Sequence, residues 1–230
     1  MLEQTLKMQY LEIEKENTGT SMTGHNDFDK LGYLPVENFW DPKELFCEVP
    51  EKTGQYRYTG KSLDKFEYVD VERQVNGSVS RYWYPPYRHI HTAIRFKLEK
   101  ILGCKLYNTY YYDRFYFPGQ ELEVHCDRDA CEISVTVNAS TNLTGKEAEW
   151  PICIKGVDGQ SVKMSLEPGD AVIYKGCERP HWRDPMPKPR RRLRDRLLFK
   201  KEPKYYYHQI FFHYVLANGN RVEHAGDKSS

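Results

Sequence analysis

The pattern of apolar and polar positions divides the chain into two parts. From Tyr87 to Leu102 the apolar residues recur at steps of three and four, and Gly103 follows as a stop signal, which predicts a helix over residues 87–102. After it come short runs rich in Tyr, Val and Ile, separated by turn signals. The predicted strands are Lys105–Phe117, Glu121–Asp127, Cys131–Asn138, Trp150–Ile154, Ser161–Leu166, Ala171–Tyr174 and Tyr207–Leu216. Many short strands of this kind predict a sandwich or barrel, a class that includes the eight-stranded jelly rolls and cupins.

Residues 1–86 carry short aromatic segments that are broken by Pro and Gly. The small and polar residues between Asn17 and Asn26 predict a loop, and Asp41 before Pro42 predicts a short helix start. The run 66–71 alternates as a strand would, and Asn76-Gly77 predicts a turn, interpreted as a hairpin leading into Val79–Tyr84. We expect one domain over residues 1–230, because the early elements are too sparse for a core of their own. Its predicted parts are a supporting region (1–104), a β core (105–217) and a flexible tail (218–230).

Charge and composition exclude several classes. The 34 basic and 33 acidic residues give a formal charge of +1, which argues against binding to nucleic acid by the chain as a whole. No apolar stretch is long enough for a membrane span, and the N-terminus lacks the apolar core of a signal peptide. Six cysteines without a CxxC pair are typical of free thiols in a reducing compartment. We therefore expect a cytoplasmic protein.

The candidate chemistry lies in the strand-rich part. His125 and Asp127 are two residues apart, a spacing that places both side chains on one face of a strand. His181, after the strand-like run Ala171–Tyr174, is the candidate third ligand. Two histidines and one carboxylate form the facial triad of non-haem Fe(II) oxygenases. The pair His25 and Asp27 has the same spacing, but its turn-rich surroundings lack the rigid support of a metal site.

Other histidines in the sequence are weaker candidates. His89 and His91 flank the helix stripe and are typical of boundary positions rather than ligands. His208 and His213 lie on the last predicted strand at a spacing that should turn them to opposite faces. Cys126, between the two proposed ligands, should point away from the metal into the core.

These motifs resemble the 2-oxoglutarate- and Fe(II)-dependent oxygenases, in particular the prolyl-4-hydroxylase-like branch. The resemblance covers about residues 105–217 and combines an HxD pair, a Pro-Gly-Asp turn before a strand, and a later histidine. The matching segments are Arg114-Phe-Tyr-Phe-Pro-Gly119, His125-Cys-Asp-Arg128, the strand that ends at Asn138, Pro168-Gly-Asp170, His181-Trp-Arg183 and Gln209–Val215. The resemblance implies a mainly β double-stranded β-helix with supporting helices. It implies Fe(II) held by His125, Asp127 and His181, with 2-oxoglutarate as co-substrate, O2, and ascorbate as a further candidate cofactor.

The resemblance also implies an arginine or lysine that binds the distal carboxylate of 2-oxoglutarate, at the start of the last strand. Arg191 matches by its distance from His181, but the strand itself begins later, with Tyr207. Arg183 is the rival, because it lies two residues beyond His181 and so on the same face of a continuing strand. Tyr116 matches a tyrosine that often contacts the co-substrate in this branch, with core packing as the alternative. Thr136 is a second candidate contact.

Three functions remain open at this stage. The first is hydroxylation of an unactivated C–H bond, with a prolyl residue in a peptide or protein as the expected target and 2-oxoglutarate converted to succinate and CO2. The second keeps this chemistry but acts on a free amino acid, another small molecule or an alkylated nucleobase. The third is a cupin-like barrel that binds Zn or Ni without catalysis. The basic insert 188–204 hints at phosphate binding, but it lacks interleaved aromatic residues and is favoured as a solvated connection.

Overall fold

The computed structural model describes residues 23–189 and 204–227. The helices, in chain order, are α1 (Thr23–Leu31), α2 (Pro42–Leu45) and α3 (Arg88–Leu102). The strands are β1 (Tyr33–Val36), β2 (Gly54–Tyr58), β3 (Phe66–Val69), β4 (Val79–Tyr82), β5 (Leu106–Tyr116), β6 (Leu122–His125), β7 (Ile133–Thr141), β8 (Ile152–Lys155), β9 (Ser161–Met164), β10 (Ala171–Tyr174), β11 (His181–Arg183) and β12 (Tyr207–Leu216).

The strands form two facing sheets, and the chain crosses repeatedly between them. The larger sheet has eight strands in the order β1-β10-β7-β12-β5-β4-β2-β3, and the smaller has four in the order β6-β11-β8-β9. From β5 to β12 the chain alternates between the sheets, apart from the β8–β9 hairpin, and every pairing among these strands is antiparallel. This winding is a double-stranded β-helix, which confirms the predicted fold class.

Alternation along the strands of the larger sheet separates its two faces. On β7 the apolar residues Ile133, Val135 and Val137 pack on the helix side, together with Ile94 and Leu98 of α3. The intervening residues of β7 are polar and buried, and they face the smaller sheet. The helix therefore braces one face of the sheet, as predicted, and leaves the other face free to line the barrel interior.

The N-terminal region extends the larger sheet at both edges. The short helix α2 begins where predicted, with Asp41 accepting a hydrogen bond from the Lys43 backbone N–H at 2.9 Å. Two predictions for this region, a loop up to residue 26 and a hairpin leading into β4, are wrong. The described end of the predicted loop, residues 23–26, belongs to α1. In addition, β3 does not form a hairpin with β4, because β2 lies between them and pairs parallel with β4.

The last described residues are attached to the barrel. Residues 221–227 contact the barrel through Arg221 on Asp129 at 2.9 Å and through the Gly226 N–H on the Asn108 carbonyl at 2.8 Å. Most of the basic insert lies outside the described residues. All six cysteines are free thiols. Among the described helices, none has the length and apolar character needed to cross a membrane.

Candidate metal centre

The three predicted ligands meet at one end of the barrel. His125 is the last residue of β6, and His181 is the first residue of β11, directly opposite it in the smaller sheet. Asp127 lies two residues beyond the end of β6, so the irregular chain after the strand, not strand alternation, brings it to the histidines. Its Oδ1 lies 3.6 Å from His125 Nε2 and 3.5 Å from His181 Nε2. One ligand atom from each residue lies within 4.8 Å of the others.

Both histidines are held in the orientation that a metal ligand needs. His125 Nδ1 lies 2.9 Å from the Glu123 carbonyl, and His181 Nδ1 lies 3.0 Å from the Arg179 carbonyl. A carbonyl only accepts hydrogen bonds, so each Nδ1 carries the proton and each Nε2 presents a lone pair toward Asp127. This arrangement is common for metal-binding imidazoles.

Asp127 is fixed on all sides. Ser134 donates a hydrogen bond to Asp127 Oδ2 at 2.9 Å, and the Asp127 backbone N–H donates to the Gly176 carbonyl at 2.9 Å. A Cβ at position 176 would lie 2.5 Å from Oδ2 and 2.4 Å from Ser134 Oγ, so only glycine fits beneath the carboxylate. Burial alone would raise the pKa of Asp127, but in the metal-free protein the positive charge and the Nε2–H groups that His181 and His125 carry when protonated outweigh it and hold that pKa well below its usual range.

The donor set fits a divalent metal ion of the transition series. Two imidazole lone pairs and one ionised carboxylate oxygen converge, and they leave open positions for further ligands. Two other groups of His, Cys, Asp and Glu come as close among the described residues, but a protein group fills each of them. In the second group, Asp127–Cys131–His213, Ser134 lies between Asp127 and His213, 3.0 Å from His213 Nδ1. Arg81 binds Asp113 in the third group, Cys47–Asp113–His208.

Arg183 points into the barrel from β11, on the same side as His181. It is 2 % exposed, and none of the described carboxylates forms an ion pair with it. Its guanidinium donates to the Trp150 carbonyl at 2.5 Å and to Gln209 Oε1 at 3.0 Å, and it lies over the rings of Trp150 and Tyr207. Burial lowers the pKa of this guanidinium. A buried cation without a carboxylate partner is costly, so this site favours an anion.

Of the other residues predicted to contact 2-oxoglutarate, Tyr116 and Thr136 are buried in the barrel. Tyr116 is fully buried, with its ring edge on Trp150 at 4.9 Å and its hydroxyl 3.4 Å from Arg114 Nη1. Thr136 is buried on β7, with Oγ1 3.2 Å from the Tyr174 hydroxyl. Arg191 lies outside the described residues.

Two expectations about neighbouring residues can also be compared with the structure. His208 and His213 do face opposite sides of β12: His208 stacks on Phe115 on the helix side, whereas His213 reaches Ser134 inside the barrel. Cys126 is exposed rather than in the core, so the expectation of a core position is wrong. Cys126 follows β6, which is an edge strand of the smaller sheet.

Several residues of the site belong to none of the sequence motifs. Ser134 and Gly176 support Asp127, and Gln209 supports Arg183. Glu72 pairs with Arg114 at 3.0 Å, and Gln74 reaches His125 from the segment before β4. Only the buried polar positions of β7 left a signal, because a strand with hydroxyl groups facing a barrel interior has to serve something there.

Comparison with known proteins supports the fold. No protein-family profile and no curated protein sequence matches the chain. Among solved structures, a prolyl-4-hydroxylase of Pseudomonas putida is 13% identical with a TM-score of 0.54, over 83% of this chain and 97% of that one. A prolyl hydroxylase of Trichoplax adhaerens, bound to a peptide fragment of hypoxia inducible factor, is 11% identical with a TM-score of 0.53, over 82% and 86%. HygX of Streptomyces hygroscopicus, with nickel and 2-oxoglutarate bound, is 9% identical with a TM-score of 0.54, over 85% and 87%.

At these identities the likeness concerns the fold alone. It agrees with the strand order and with the resemblance seen in the sequence motifs. The described chain has the double-stranded β-helix fold of the 2-oxoglutarate- and Fe(II)-dependent oxygenases.

Proposed function

We propose that this protein is a dioxygenase that uses Fe(II) and 2-oxoglutarate to hydroxylate an unactivated C–H bond. The observation that carries the proposal is the convergence of His125 Nε2, His181 Nε2 and an Asp127 oxygen within 4.8 Å, at the end of a barrel that also holds the buried cation of Arg183, which has no ion-pair partner among the described residues. A barrel that only binds a metal would need the three ligands but not the buried Arg183.

The three ligands would hold Fe(II) and leave its other positions open. The bound metal supplies positions for 2-oxoglutarate and O2, in a reaction that yields succinate, CO2 and a hydroxylated product. The protein's own part is binding and orientation. Glu123 and Arg179 fix the two imidazoles through their carbonyls, and Ser134 fixes the carboxylate, so the ligand geometry exists before a metal arrives.

Arg183 would bind the distal carboxylate of 2-oxoglutarate. It lies two residues beyond His181 on β11, and its planar guanidinium suits a carboxylate because two N–H groups can donate in parallel. In the resemblance the anchor belongs to the start of the last strand. In this chain the inward residues there are Tyr207 and Gln209, and Gln209 accepts a hydrogen bond from Arg183. The cation would therefore come from the facing strand, with Tyr116 and Thr136 as further polar contacts.

The target would be a prolyl residue in a peptide or protein. Two of the similar structures are prolyl hydroxylases, and one of them holds a peptide.

The test is succinate production in air with Fe(II), ascorbate and 2-oxoglutarate, with and without proline-rich peptides. We expect peptide-stimulated succinate and a mass gain of one oxygen atom in the peptide. Asp127→Ala should abolish both, whereas Asp158→Ala, which changes an exposed aspartate in the β8–β9 turn, should not. Slow succinate without peptide stimulation would keep the reaction class and overturn the prolyl target. No succinate at all would overturn the oxygenase and favour a non-catalytic metal-binding barrel.

A further inference from the structure

Gln74 contacts the atom of His125 that a metal would use. Its Nε2 lies 3.3 Å from His125 Nε2, across 51 positions of sequence. The amide orientation is set by Arg114, whose Nη1 donates to Gln74 Oε1 at 2.8 Å, so the amide NH2 is the group that faces the imidazole. Gln74 therefore donates a hydrogen bond to the lone pair of His125 Nε2.

This lone pair can serve only one partner. His125 Nδ1 holds its proton against the Glu123 carbonyl, so Nε2 has a single acceptor lone pair in the plane of the ring. A metal ion bound to Nε2 and an N–H donated to Nε2 exclude each other. Gln74 has to leave this position before His125 can coordinate.

Gln74 belongs to a segment that is fastened to the barrel. We call residues 70–78, which connect β3 to β4, the strap. Glu72 Oε1 accepts both from the Gln74 backbone N–H at 3.1 Å and from Arg114 Nη2 at 3.0 Å, and Glu72 is 3 % exposed. Val75 is buried among apolar residues of the barrel, including Tyr116 and Phe211. The Gln74 side chain itself is exposed, so it has room to turn outward, and turning outward breaks its hydrogen bond with Arg114.

We propose that Gln74 competes with the metal for His125 and thereby couples metal occupancy to the strap. The inference rests on the metal centre of the proposed function. When a metal binds, Gln74 gives up His125 and the link through Arg114 to Glu72 is disturbed, so the strap loosens over the metal end of the barrel. Gln74 is thus a residue that lowers metal affinity, whereas the other polar neighbours of the centre raise it.

The test measures the affinity of the full chain for Co(II) alone under nitrogen, from its visible absorption and by calorimetry. Gln74→Ala and Gln74→Leu both remove the amide, and the leucine keeps the bulk of the side chain. We expect each to bind Co(II) about three- to ten-fold more tightly than the wild type, the range that corresponds to one lost neutral hydrogen bond. Gln160→Ala, which changes an exposed glutamine in the β8–β9 turn, is the matched control and should leave the affinity unchanged.

A second readout follows the strap itself. Hydrogen exchange at residues 70–78 should speed up when Co(II) is added to the wild type and should respond less in Gln74→Leu. Unchanged or weaker Co(II) binding in both Gln74 variants, beside normal binding by the wild type, would overturn this inference alone. Failure of the wild type to bind Co(II) at all would overturn the metal centre together with it.

Discussion

At the residue scale, the centre depends on a serine that no motif includes. Ser134 donates to Asp127 Oδ2 at 2.9 Å and lies 3.0 Å from His213 Nδ1. Because His213 Nδ1 can donate to the serine oxygen, the single Ser134 proton is left for the carboxylate. The bond holds Asp127 with its other oxygen toward the two histidines.

Replacing Ser134 with alanine should therefore weaken metal binding. Loss of a partner that orients a metal ligand typically costs ten- to a hundred-fold in affinity, and we expect about ten-fold here because the Gly176 carbonyl still holds the Asp127 backbone. Co(II) titration measures it, and Ser134→Thr, which keeps the hydroxyl, is the control. Equal affinities for Ser134→Ala and the wild type would show that Asp127 does not need the serine.

How far the sequence predicts these residues depends on how local each contact is. His125 and Asp127 could be paired because they are two positions apart. Ser134 was not identified, because its contact with Asp127 exists only when β7 lies beneath the chain that follows β6. Gln74 was beyond prediction for the same reason, since its partner is 51 positions away. Gly176 has no pattern around it that would distinguish it from an ordinary turn glycine.

At the element scale, the three-residue strand β11 carries both a proposed metal ligand and the proposed carboxylate-binding arginine. It places His181 at the metal centre and Arg183 inside the barrel, both 2 % exposed, with the half-buried Trp182 between them. The last strand β12 supplies Gln209 where the resemblance expects a cation. This arrangement supports the proposal that Arg183, rather than Arg191, binds the distal carboxylate of 2-oxoglutarate.

Arg183→Gln should raise the KM for 2-oxoglutarate about ten- to a hundred-fold, because a charge-assisted bond is worth about 1.5–3 kcal/mol. Arg183→Lys should fall between this variant and the wild type, since it keeps the charge without the fork. Steady-state succinate formation measures each, with circular dichroism to check the fold. Arg191→Gln is the control, and a large rise in KM for that variant instead would place the anchor in the insert.

Local patterns predicted the elements of the barrel better than those before it. The strands after α3 alternate and are bounded by turns, and β10 and β12 have the predicted limits. The order β3-β2-β4 could not be found in this way, because the Asn76-Gly77 signal is compatible with a hairpin, and only the parallel pairing of β2 with β4 excludes it. Parallel neighbours are joined by a long connection and leave no signal in the turn.

At the scale of the whole molecule, buried histidines couple stability to pH. His91 on α3 packs between Tyr111, Phe212 and Tyr214 and lies 3.1 Å from the His213 carbonyl. Burial lowers its pKa to about 3, so the folded protein holds this ring neutral where an unfolded chain would protonate it. Stability rises with pH wherever the unfolded state binds more protons. The contribution of His91 is therefore complete above the ordinary histidine pKa and is lost as the pH falls toward 3.

His91→Phe should flatten this dependence. Over the range from about pH 6 to pH 4, the free energy of unfolding of the wild type should fall more steeply than that of the variant, by up to about 1.4 kcal/mol per pH unit. Urea unfolding of the metal-free protein at several pH values measures the difference. Parallel slopes would show that His91 is already protonated, or exposed, in the folded protein.

The central claim is that His125, Asp127 and His181 form an iron centre that receives 2-oxoglutarate. Its most direct test is an anaerobic titration of the protein with Fe(II) and then 2-oxoglutarate, followed by the weak visible charge-transfer absorption of the ternary complex. We predict a band that saturates at one iron for each chain, requires both additions and disappears in Asp127→Ala. A folded wild-type protein that shows no band, or a band that persists in Asp127→Ala, would contradict the account.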